Sequence, residues 1–191
     1  MAKYIKHSFP LLLLVLIFSS CSKDSIQPKP KGFLALEYPD ALYFETETDC
    51  PFLFKINTTT KVITKKNNTC WLDINYPQLK GSIYFSYYPV KDNLRKLILD
   101  AQKLPLSHEY KADAIASQPF INEWHKTYGL YYEIEGNAAS QAQFYLTDSI
   151  NHFVTASIYF KTKPNYDSIL PAAAYLKQDM RKIMESLEWK D

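Results

Sequence analysis

The chain has 191 residues, a one-domain length once a processed leader is set aside. With 47% hydrophobic and 22% charged residues it can bury a packed core, which excludes wholesale disorder, and only 4 Gly and 11 Pro exclude a collagen-like or Gly-rich filament. A formal charge of +2 is too small for an electrostatic nucleic-acid binder.

Residues 1–20 read as a lipoprotein signal peptide. Lys3, Lys6 and His7 form a short basic start, Leu11 to Phe18 is an unbroken apolar run, and Ser19-Ser20 precede Cys21. The run is well short of the roughly 18 to 20 residues that span a bilayer as a helix. The Cys21 thiol is the nucleophile that can carry a thioether-linked diacylglycerol, so the expected partner is a membrane, reached through an N-terminal lipid. Cleavage removes Lys3 and Lys6 and leaves 20 basic against 20 acidic residues, a net charge of zero. The acyl chains must then supply the membrane binding, at about 0.8 kcal/mol per buried methylene.

Residues 21–31 continue as a polar, Pro-rich tether after the lipidated cysteine, and residues 32–191 form a single folded domain. The 15% aromatic content, including 15 Tyr, favours sheet. Phe52, Phe54 and Ile56 alternate with Leu53 and Lys55, predicting one short strand opened by Cys50-Pro51. Thr58 to Thr69 reads as a polar loop. Leu72, Ile74 and Tyr76 alternate with polar or amphipathic neighbours, as do Ile83, Phe85 and Tyr87, and the Pro77-to-Gly81 turn between them makes a hairpin.

The period then changes. Leu94, Leu97, Ile98, Ala101 and Leu104 line one face of a helix, capped by Asp92 or Asn93 and stopped by Pro105. Residues 106–127 carry no readable pattern. Leu130, Tyr132 and Ile134 predict a strand ending at the Gly136-Asn137 turn, Ala142, Phe144 and Leu146 a second, and residues 152–160 a third. A helix from Ile169 to Leu187 closes the chain, with Asp167 or Ser168 as cap and Leu176, Met180, Ile183 and Leu187 as its core stripe. Grouped strands with hairpin-length links predict an α+β domain, an antiparallel sheet packed by helices. The order is similar to the PsbP-like αβα sandwich.

Candidate chemistry is sparse. Cys50 and Cys70 are an even pair in an oxidising compartment, either bridged or left as two buried thiols. A bridge would close a loop worth about 3 kcal/mol. His108, His125 and His152 have no metal-ligand spacing, so no metal or other cofactor is expected. No nucleophile elbow or phosphate loop occurs, and no catalytic residue or small-molecule substrate is expected. Glu133 and Glu135 share a strand face, which could do acid–base work on a glycan or be a plain solvated face. Tyr84, Tyr88, Tyr131 and Tyr145 fall opposite the main apolar alternation; open, they would form a binding face for a protein or glycan, unless a helix layer covers them. Three Asp-Ser-Ile triplets match a short O-glycosylation pattern, and only Ser25, in the tether, is a fair candidate.

The segments PKPKGF, DCPFLF, CWLDINYP, KGSIYFSY, NLRKLILDAQKL and HEYKADAI occur in this order. GNAASQAQFYLTDSINHFVTASIYF, PNYDSILP and SLEWK follow. Together they resemble the gliding-motility lipoprotein GldD family of the Bacteroidetes, from the signal peptide to the C-terminus. The resemblance implies a non-enzymatic lipoprotein of the cell envelope, facing the periplasm and carrying palmitate-type acyl chains at Cys21. It implies a role in gliding and in the linked type IX secretion system, with other components of that machinery as partners. The family has no assigned catalytic residues. The alternative reading is an envelope lipoprotein that binds or cleaves glycan.

Overall fold

A computed structural model describes residues 36–65, 69–162 and 165–190. The leader, Cys21 and Ser25 lie outside the described residues.

The fold grows from one hairpin. Strand β5 (Leu72–Tyr76) pairs antiparallel with β6 (Gly81–Pro89), Leu72 opposite Phe85 and Ile74 opposite Ile83, all four buried. The loop turns at Lys80, whose φ of 51° is left-handed. Gly81 follows because a Cβ there would stand 2.7 Å from Leu176. Around this hairpin a seven-stranded antiparallel sheet forms in the order β4-β5-β6-β10-β9-β8-β7. Here β4 is Lys61–Thr64, β7 Ala112–Asn122, β8 Thr127–Gly136, β9 Ser140–Thr147 and β10 His152–Phe160.

Period-2 alternation sends two sets of side chains to opposite faces of this sheet, and each face receives a helix. The long helix α2 (Tyr166–Ser186) buries Ile169, Ala172, Ala173, Leu176, Met180, Ile183 and Met184 on one face. There Leu176, Met180, Ile183 and Met184 meet Leu72, Ile83, Phe85, Phe144 and Val154 in the main core. The shorter helix α1 (Leu94–Leu106) covers part of the other face with Leu94, Leu97, Ile98 and Ala101, over Tyr145 and Phe153, whose rings stack at 5.6 Å. The domain is therefore α+β, an antiparallel sheet between helices.

Three expectations are corrected. The single strand over residues 52–56 is two: β2 (Phe52–Leu53) pairs with β11 (Glu188–Trp189), whereas β3 (Lys55–Asn57) pairs with β1 (Tyr43–Glu45). The switch of partner falls at Phe54, which instead exchanges hydrogen bonds with Thr46: its N–H donates to Thr46 Oγ1 and its C=O accepts from Thr46 N–H. The Thr58-to-Thr69 loop contains the edge strand β4. The unreadable stretch contains β7, eleven residues long. Helix limits also shift. α1 runs one residue past Pro105, and Asp92 is left-handed at φ 56° while Asn93 accepts from Lys91 N–H, so neither side chain caps. α2 starts at Tyr166 after Asn165, with Asp167 and Ser168 inside its first turn.

Candidate functional site

Helix α2 carries two polar clusters into the sheet. The first surrounds Asp179, 2% exposed, whose carboxylate accepts from Tyr43 Oη at 2.7 Å and Asn57 Nδ2 at 2.9 Å. Tyr76 Oη is a third donor to it. The second Asn57 amide hydrogen goes to Tyr175 Oη at 2.8 Å, and that hydroxyl donates to the Pro39 carbonyl at 3.0 Å. Burial pushes the Asp179 carboxyl up from its ordinary value, and the three hydrogen bonds only partly offset this. The neighbouring Tyr43 and Tyr76 hydroxyls are raised too, by burial first and then by Asp179. The adjoining cavity, between Tyr76 and Tyr175, holds about 10 Å³. That is at the limit for one water, and the Asp179 carboxylate is engaged by its protein donors. Its chemistry is to fix the Pro39–Tyr43 segment against the helix.

The second cluster holds Glu133, from β8. Lys177 Nζ lies 2.7 Å from Oε1 and Arg181 Nη2 3.3 Å from Oε2, and the Arg181 guanidinium sits 4.6 Å over the Tyr131 ring. Burial works to raise the Glu133 carboxyl, but Lys177 and Arg181 together hold it below its ordinary range. A carboxylate neutralised this way is a poor proton donor near neutral pH. Glu135, two residues on, is exposed and does not join it.

The histidines fall in three separate places. His108 Nε2 is 3.0 Å from Gln143 Nε2, and burial lowers its pKa. His152 stacks on Trp189 at 5.1 Å and meets Tyr87 Oη at 3.0 Å. His125 faces Glu188 at 3.5 Å. Among the described residues no three His, Cys, Asp or Glu gather as a metal site.

The four tyrosines do not form one face. Tyr131 is on the α2 side, 4% exposed, with its hydroxyl pushed up to about 12 by burial first and by Glu133 next. Tyr145 is buried beneath α1, and Tyr88 packs at the margin of that cluster with Trp71 edge-on at 5.7 Å. Tyr84 is half-buried between Tyr159 and the Lys65 ammonium. The hairpin offset alone could not reveal this, because the strand offset that brings Tyr131 opposite Phe144 is set by pairing, not by local pattern. Cys50 and Cys70 are joined as a disulfide, with Cα atoms 5.6 Å apart. Asp148 Oδ1 accepts from the N–H groups of Ile150, Asn151 and His152, which makes the second Asp-Ser-Ile triplet a turn.

Two clefts among the described residues hold about 380 Å³ each. One lies between β1 and β4, over Phe44, Ile56 and Val62; the other runs along β7 beside Leu106, Ile115 and Tyr132. Neither lining joins a nucleophile to a base. No described helix is long and apolar enough to cross a membrane.

Fold and site together define a small disulfide-bearing α+β domain in which Asp179 and the Glu133–Lys177–Arg181 cluster tie the long helix to the strands. Residues 23–189 match the family model of the gliding motility lipoprotein GldD, and the chain belongs to that family. The chain matches no curated protein.

Proposed function

We propose that this lipoprotein is a non-catalytic accessory component of the gliding machinery and of the type IX secretion system linked to it. An acyl group on Cys21 holds it to the envelope, and the Pro-rich residues 21–31 carry the domain into the periplasm. The observation that carries this reading is the family match, which spans nearly the whole chain after the leader. The paired state of Glu133 and the enclosure of Asp179 support it, because both groups are engaged within the fold.

The test is a strain lacking the protein, scored for movement over a surface and for the type IX cargo in its culture fluid. Loss of both, restored by the parent chain and not by Cys21→Ala, is the expected result. A strain that glides and secretes normally contradicts the proposal.

A further inference from the structure

A sheet edge left unpaired is a template for another strand, and folded proteins guard such edges with Lys, Pro or bulges. This sheet has two edges. The β4 edge is four residues long and is flanked by Lys61 and Lys65. The β7 edge is eleven residues long and is guarded unevenly. Its second half contains Pro119 opposite Leu130, and its first residues are displaced by a bulge at Asp113, between the pairs Ala112–Gly136 and Ala114–Glu135. Ala114 to Ser117 lies between these guards, with no Lys, Pro or bulge and with Ala114, Ala116 and Ser117 exposed.

The hydrogen-bond alternation fixes which groups this stretch offers. Asp148 N–H donates to His152 C=O, which sets the alternation of β9 against β10. Carried across the β9–β8 and β8–β7 registers, it turns the N–H and C=O of Ile115, Ser117 and Pro119 away from β8. Pro119 therefore loses no ladder bond, whereas Ile115 and Ser117 present free donors and acceptors at the outer edge. Among the described residues no strand pairs there. The 380 Å³ cleft runs beside the same stretch, lined by Leu106, Ile115, Ser117 and Tyr132, and its two charged lining residues are Glu109 and Asp113. Leu106, in this lining, is 56% exposed, and Tyr110, next to Glu109 in the chain, is 89% exposed with Lys111 Nζ 5.0 Å over its ring.

We infer that Ala114–Ser117 takes an extended segment of a partner protein as an eighth strand, placing an apolar side chain in the cleft and a Lys or Arg against Glu109 and Asp113. Backbone pairing supplies affinity, and the cleft with its acidic rim supplies selectivity. A second copy of this chain is a poor match. The two-fold antiparallel pairing that joins Ile115 to Ser117 sets each Pro119 opposite the other copy's Asp113 bulge, and it leaves both acidic rims unneutralised. The inference goes beyond the accessory reading, since no described strand pairs at this edge whichever machinery the chain serves.

The probes are three capped hexapeptides: KTVTVK, the acidic ETVTVE, and KTVTVK with the backbone N–H of both valines methylated. They are titrated against the full mature chain in detergent, with amide hydrogen exchange read at residues 112–120. The expected result is slowed exchange at Ile115 and Ser117 with KTVTVK, and binding about tenfold or more weaker for the other two peptides. Ser117→Pro, which removes one outward donor, and Ala116→Lys, which adds a guard, should each weaken KTVTVK binding about tenfold; either one suffices if the other fails to fold. Equal binding of all three peptides, protection elsewhere, or undiminished binding to a folded variant overturns the inference. So does a dimer of the parent chain that Ser117→Pro dissolves.

Discussion

At Glu133 two cations meet one carboxylate, and the sign of the resulting pH effect is fixed by their attraction. Burial disfavours the charge, but Lys177 and Arg181 outweigh it and hold the folded-state pKa below the ordinary 4.5. The pair therefore stabilises the fold fully above that ordinary value, and its contribution is lost as pH falls through the lower folded value. Glu133→Gln removes the attraction and strands Lys177, whose side chain is 11% exposed. The expected cost is about 1–2 kcal/mol, between the surface and buried limits, measured by urea unfolding at pH 7 and shrinking at acid pH. Asp179 runs the other way. Burial raises its folded-state pKa, so its protonated form is the one the fold favours, and its contribution is present at acid pH and falls as pH rises through the folded value. Asp179→Ala leaves Asn57 Nδ2 and the Tyr43 hydroxyl without their acceptor and should cost about 3 kcal/mol by the same measurement.

Among the elements, β8 and β9 depend on a glycine. A Cβ at Gly129 would collide with the backbone oxygen of Tyr145, so the strands must part to admit it. Gly129→Ala should destabilise by more than about 3 kcal/mol and accelerate amide exchange along β8 and β9 before β5 and β6. The Cys50–Cys70 disulfide ties the segment before β2 to the segment before β5. Its reduction, or Cys50→Ser with Cys70→Ser, should cost about 3 kcal/mol, read as a melting point that falls when reductant is added. No shift with reductant would contradict the bridge.

The same elements show what the sequence makes legible. β5, β6 and β10 sit inside the sheet with one face more deeply buried than the other, which imposes period-2 apolar alternation; β9 is buried on both faces, and there Ala142, Phe144 and Leu146 alternate with Gln141, Gln143 and Tyr145. β7 sits at the edge with most of its side chains in water and a Pro in its second half, so its pattern is nearly absent. β4 is hidden among threonines and lysines for the same reason. The break at Phe54 comes from a change of partner: Leu53 pairs with Glu188, 135 residues on, whereas Lys55 pairs with Glu45, ten residues back, and no local pattern records the distant one. The core stripe of α2 is legible through Leu176, Met180 and Ile183, with Leu187 buried just past its end, whereas its buried Asp179 carries no signal. A carboxylate on a helix reads as solvated until Tyr43, Asn57 and Tyr76 are known to meet it.

On the proposed function the whole molecule is a lipid-held body that works by its surfaces. Glu133, Asp179 and His108 join its layers through their hydrogen bonds, and the proposed function asks of the chain only holding and docking. The most direct test is complementation of the deletion strain by Glu133→Gln, Asp179→Asn and His108→Gln, each scored for surface movement against its level in the envelope fraction. Movement that tracks protein level, with every folded variant restoring it, is the predicted result. A variant that is abundant and folded yet fails to restore movement would contradict the account.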